Sequence, residues 1–205
     1  MISVKEKIFR KIRENKQGWA FSAIDFLKDF KRREIDESLS YLVYDGIIRR
    51  IIRGVYDYPM YSSILQRNVA PDMNQVAGAI ARKFSWRIIP DGNTALNYLG
   101  LSNQVVSKKI FLSDGPKRKY TINNVPLEFR HTKKKELTGS KKTDLVIQAI
   151  RAMGKKQIDD KFVNNLSKKF SKIEWEKIKK EAYLSADWIY AAIKKAAKIS
   201  EGINE

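Results

Sequence analysis

Apolar residues recur along this chain at two different spacings, and the change from one to the other divides it into elements. Over residues 4–15, Val4, Ile8, Phe9 and Ile12 fall three to four apart, which predicts a helix stopped by Gly18. Residues 19–21 read as a short extended piece. Ser22 then suits the N-cap of a brief helix carrying Ile24, Phe26 and Leu27. Residues 32–45 predict a third helix, with Ile35, Leu39, Leu42 and Val43 on one stripe and Gly46 at its end. From residue 47 the pattern changes. Residues 47–52 and 55–58 are β-branched and aromatic, as strands are, around the turn pair Arg53-Gly54. Three helices followed at once by a tight hairpin predict a winged helix-turn-helix over residues 1–62.

The rest of the chain, residues 63–205, predicts an α+β domain ending in helices. Residues 75–84 look helical, 86–89 extended, and Pro90-Asp91-Gly92-Asn93 a turn before a short helix over 94–99. Strands are expected over 110–112, 119–122 and 125–131, the last two joined by a tight turn at Asn123-Asn124. Residues 141–199 are expected to be helical, with Trp175, Ile178, Leu184 and Trp188 on core-facing positions. The whole is therefore α+β, an N-terminal winged helix followed by a second mixed domain.

The polar side of the third helix is the most informative surface. On a helical wheel Arg33, Glu37, Ser40 and Tyr44 lie opposite the apolar stripe, with Asp36 and Tyr41 flanking. Such a face suits a major groove, its N-terminal half closest to the bases. Arg33 is placed to bridge guanine O6 and N7, and Glu37 to accept from cytosine N4. Ser40 and Tyr44 are expected at phosphate or sugar. Lys31 and Arg32 sit where a helix N-terminus already favours an anion. A solvated helix face would look the same in isolation. The hairpin alters that balance, because Arg49, Arg50 and Arg53 cluster in a short turn that suits phosphate or minor-groove contact.

Charge points the same way without locating the surface. The 205 residues carry a formal net charge of +18, which favours polyanions. Residues 1–62 hold 13 basic and 9 acidic side chains, whereas residues 131–205 hold 18 and 10, so the winged-helix segment is not the most basic part. There is no cysteine, which excludes disulfides and cysteine-bound zinc and fits a reducing compartment. No apolar run approaches the roughly 18 residues of a membrane span. The opening MISVKEKIFRKIREN alternates charged and apolar residues, unlike a signal peptide. The expected location is the cytoplasm, with no membrane association.

Catalytic signatures are weak. The one histidine, His131, stands beside a lysine run, and no P-loop is present. Asp91 with Glu128 and Arg130 loosely resembles the acidic pair of a metal-dependent nuclease. A Pro-Asp-Gly turn is ordinary, however, and Arg130 stands where a titratable lysine would be wanted. Lys133-Lys134-Lys135 and Lys141-Lys142 form a basic loop that is as readily solvated as it is nucleic-acid binding. The expectation is a non-enzymatic protein with no cofactor and no metal.

Three segments carry a family resemblance. AFSAIDF and ESLSYLVYDGIIRRIIRGVYDYP, and later DGNTALNYLGLSNQ, resemble AbiEi-type antitoxins of the abortive-infection type IV toxin–antitoxin systems. KKIFLSDGPKRKYTINNVPLEFRH continues the likeness, which covers about residues 15–135. The resemblance implies a winged helix that binds inverted repeats in its own promoter as double-stranded DNA and represses transcription. It also implies a C-terminal domain that counters a nucleotidyltransferase-like toxin without a stable complex. The competing expectation is a stand-alone transcriptional regulator whose second domain dimerises or senses a ligand.

Overall fold

Glycine and capping residues set the element boundaries in the computed structural model of the chain, which describes residues 2–104, 108–133 and 137–202. Helix α1 (Val4–Glu14) opens with a capping box. The Glu6 N–H donates to Ser3 Oγ at 3.2 Å, and the Ser3 N–H donates back to the Glu6 carboxylate at 2.8 Å. Strand β1 (Ala20–Phe21) leads into one turn of 3-10 helix, Ala23–Phe26. Ser22 does not cap that turn with its hydroxyl. Its N–H donates to Asp25 Oδ2 at 2.9 Å, and the buried hydroxyl has no partner among the described residues.

Helix α2 (Arg32–Tyr44) buries Ile35, Ser38, Leu39 and Leu42, while Val43 is only half-buried. Its end is a Schellman motif. Gly46, at φ +68°, donates to the Val43 carbonyl at 3.0 Å, and the Ile47 N–H donates to the Leu42 carbonyl at 3.0 Å. The Ile48 N–H also points to Leu42, so the next strand, β2 (Arg49–Ile52), starts two residues later than the pattern predicts. It pairs antiparallel with β3 (Val55–Asp57), and β1 joins the other side of β3, giving the order β1-β3-β2. Ile8, Ile12, Phe21, Phe26, Ile35, Leu39, Leu42 and Ile48 form the core beneath. Phe21 and Phe26 meet edge to face at 5.6 Å.

The chain divides into two units, residues 1–86 with 120–127, and residues 87–119 with 128–205. The first unit thus runs past the boundary expected at residue 62. A small hairpin, β4 (Tyr61–Ser62) and β5 (Arg67–Asn68), is followed by helix α3 (Met73–Lys83), which packs on β1, β3 and the 3-10 turn. Val76, Ala77, Ala79, Ile80 and Ala81 of α3 are buried, and small side chains there let the helix lie close. Arg82 fixes it, with Nε donating to Asp25 Oδ1 at 2.6 Å and Nη2 to the Ala20 carbonyl at 2.8 Å.

Further along come β6 (Ile88–Pro90), α4 (Gly92–Tyr98), β7 (Lys109–Ser113), β8 (Arg118–Ile122) and β9 (Val125–His131). The four strands are ordered β6-β7-β9-β8. Asn123 and Asn124 both take positive φ, +47° and +65°, as the tight turn required. The expected turn at residues 90–93 is instead a strand end and a helix start. Pro90 pairs with Phe111, and Asp91 caps α4 by accepting from the Thr94 N–H at 3.1 Å. The helical tail consists of α5 (Lys141–Met153), α6 (Asp160–Ser167), α7 (Lys172–Glu181) and α8 (Asp187–Gly202), with a 3-10 turn at Lys155–Gln157. Trp175 is fully buried and donates its indole N–H to the Ser167 carbonyl at 2.9 Å. Trp188 is half-buried and packs against the edge of the core around Trp175, whereas Leu184 is 78 % exposed in the link between α7 and α8 and does not hold the core position its spacing suggested. Among the described residues no helix is long and apolar enough to cross a membrane.

Candidate nucleic-acid interface

Helix α2 presents Arg33, Glu37, Ser40, Tyr41 and Tyr44 as one exposed line, because they recur at i, i+4, i+7, i+8 and i+11. Arg33 is 91 % exposed in its side chain and Tyr44 89 % exposed. The first turn carries two ion pairs in adjacent register. Arg32 Nε donates to Asp36 Oδ2 at 2.7 Å, and Arg33 Nε donates to Glu37 Oε1 at 2.8 Å. Each carboxylate holds its arginine above the ordinary guanidinium pKa, chiefly by that hydrogen bond. Both pairs are open to solvent and follow from the i,i+4 spacing of the helix.

Lys31 stands at the N-cap, exposed, with its N–H donating to Glu34 Oε2 at 3.0 Å. As the N-cap residue it stands at the positive end of the α2 dipole. Ser40 donates its hydroxyl back to the Asp36 carbonyl at 2.8 Å, which leaves that oxygen as an acceptor. Tyr41, which the sequence placed only on the flank, is 61 % exposed and lies under the Lys5 ammonium, 6.0 Å from the ring centroid.

The three arginines of the hairpin separate. Arg49 grips Asp57 across the β2–β3 pair with two bonds, Nε to Oδ1 at 3.1 Å and Nη2 to Oδ2 at 2.6 Å. Nη2 also donates to the Val69 carbonyl at 3.1 Å. Asp57 is 1 % exposed, so Arg49 neutralises a buried carboxylate and ties down the β4–β5 hairpin. Its guanidinium is therefore engaged within the fold. Arg50 and Arg53 remain exposed, and neither pairs with a carboxylate among the described residues. The hairpin tip is held from behind, since Lys83 Nζ donates to the Arg53 carbonyl at 2.8 Å. Gly54 takes φ +74°, the left-handed conformation that favours glycine at the tip.

The other candidate groups have local partners. Glu128 pairs with Arg130 at 3.2 Å, which holds its carboxyl below the usual range. His131 Nδ1 lies 3.0 Å from the Gly115 carbonyl. Lys134 and Lys135 of the basic loop lie outside the described residues.

Fold and surface together define a mixed α+β protein in two units, the first exposing an arginine-led helix face and a basic hairpin. The chain belongs to DUF6088, a family of unknown function, which it matches over residues 7–178. That span takes in all of the elements that build this surface. No curated protein matches the chain.

Proposed function

We propose that the first unit is a winged helix that binds duplex DNA and represses transcription from its own promoter. The observation that supports this best is the run from α2 into β2–β3. A helix with an exposed polar line is followed, after one Schellman turn, by a hairpin that exposes Arg50 and Arg53 and is braced by Lys83. Helix, helix-like turn, helix and a β1-β3-β2 sheet are the parts a winged helix needs. In this reading α2 enters the major groove, Lys31 and Arg32 meet phosphate at its N-terminus, and Arg33 leads into the bases. Ser40 and Tyr44 face the backbone, and Arg50 and Arg53 follow the flanking phosphates or the minor groove.

The wing is tested by titrating labelled duplex with parent and Arg50→Ala/Arg53→Ala protein at two salt concentrations. The double variant is expected to bind specific and scrambled duplex more weakly alike. Its slope of log K against log salt should fall by about two, since each phosphate contact contributes roughly 0.9. An unchanged slope removes the hairpin from the DNA surface.

The antitoxin role rests on the sequence resemblance alone. Its test is co-expression with an adjacent nucleotidyltransferase-like gene. Rescue of growth by the second unit without α2 contacts, for example in the Arg33→Ala protein, is expected if neutralisation and repression are separate activities.

A further inference from the structure

The geometry points to Glu37 as a specificity-determining residue that orients Arg33 toward guanine, not as a base reader in its own right; this rests on the DNA-binding reading above. Arg33 Nε is the atom that Glu37 engages, at 2.8 Å. The guanidinium is planar, and its Nε edge and its Nη1/Nη2 end point in different directions. A carboxylate on Nε therefore fixes the plane while leaving the two terminal nitrogens projecting from the helix. Among the described residues those terminal nitrogens have no partner, and the side chain is 91 % exposed. Two parallel N–H donors presented end-on match guanine O6 and N7.

A long exposed arginine without a support samples many rotamers, and ordering it on DNA reduces the gain from a base contact. Glu37 supplies that support before DNA arrives. The placement one turn apart is what makes it possible, because i and i+4 side chains meet on a helix and i and i+1 do not.

The neighbouring pair reinforces the point by charge. Arg32 and Asp36 repeat the arrangement, Nε to Oδ2 at 2.7 Å, one residue earlier. Arg32, Arg33, Asp36 and Glu37 sum to zero. The start of α2 therefore draws little on indiscriminate attraction to phosphate.

A double-mutant cycle tests this. Duplexes are selected from a random-sequence library with the parent protein, and binding is compared between the enriched site and a site with its key guanine replaced. Arg33→Ala and Glu37→Ala are each expected to reduce the preference for guanine by tenfold or so. The Arg33→Ala/Glu37→Ala protein should be no worse than Arg33→Ala alone, because an orienting residue has nothing left to orient. Glu37→Gln, which keeps an oxygen for Nε, should retain the preference while binding all duplexes more tightly. The inference is overturned if Glu37→Ala keeps the parent preference, or if its loss adds in full to that of Arg33→Ala. If the parent enriches no sequence, the DNA-binding reading itself falls, a failure with a different signature from an additive cycle.

Discussion

Arg49 and Arg50 are adjacent in sequence and have opposite fates, and the cause is one residue of register. The hairpin turns at Arg53-Gly54, with Ile52 opposite Val55. An undisturbed ladder from that turn would set Arg50 against Asp57. The structure has a bulge between Arg50 and Ile52, so Arg49 faces Asp57 and Arg50 faces Tyr56. One slipped position exchanges the faces of every side chain beyond it. The three arginines therefore looked equivalent in the sequence, and only the register shows which one is internal. Breaking the Arg49–Asp57 pair has a large consequence, because Asp57 is buried. Arg49→Ala, which leaves the buried Asp57 carboxylate without its partner, is expected to destabilise the first unit by about 3 kcal/mol in urea denaturation, near the low end for a broken buried pair. Arg33→Ala, in full solvent, should leave the urea midpoint close to that of the parent. Similar losses for both would mean that the two arginines are not distinguished as described.

Glu174 gives a residue-scale expectation in pH. Lys142, followed by the Ser171 N–H and hydroxyl, lowers its pKa from the ordinary 4.5 to about 2. A carboxylate depressed in the folded state stabilises the fold at pH above about 4.5, and that contribution is lost as the pH falls toward about 2. Glu174→Gln should flatten this part of the acid limb and leave stability at neutral pH less dependent on it. Screening by solvent keeps the effect small, so the readout is the shape of the limb across that window.

Elements were legible wherever a long period carried them. The stripe of Ile35, Leu39 and Leu42 placed α2 within a residue of its observed bounds, and Asn123-Asn124 placed the β8–β9 turn. The polar line of α2 followed from the same wheel. Two-residue β1 gives no periodicity to detect, and the contribution of α3 to the first unit depends on Arg82 reaching Asp25, 57 positions away. No local pattern encodes that. The turn expected at residues 90–93 failed for a related reason. Gly92 reads as a turn residue, yet it begins α4 because only a bare Cα fits there. A Cβ would lie 2.4 Å from Ala152 Cβ and 2.9 Å from the Gln148 carbonyl. Gly92→Ala is accordingly expected to force α4 from α5 and to destabilise the second unit by about 1–3 kcal/mol, read as a lowered melting temperature. Gly139→Ala, at a site with open space but φ +87°, is the comparison that separates crowding from backbone strain. A larger loss at Gly139 than at Gly92 would refute the packing explanation.

At the scale of the molecule, charge and function separate. The chain carries +18, yet the start of α2 is close to neutral, and most of the excess lies outside the first unit. On the proposed DNA-binding reading, general attraction would come from the whole protein and discrimination from a few side chains on α2. Pro59 closes the hairpin in sequence, while in space α3 continues the first unit by covering β1 and β3. The measurement that decides the account is a gel-shift titration of the full chain on the DNA upstream of its own gene, with scrambled duplex as competitor and Arg33→Ala alongside. A shift that survives scrambled competitor and is lost in Arg33→Ala is the expected result. A shift competed equally by scrambled DNA, or one that Arg33→Ala leaves intact, would mean that α2 does not read sequence.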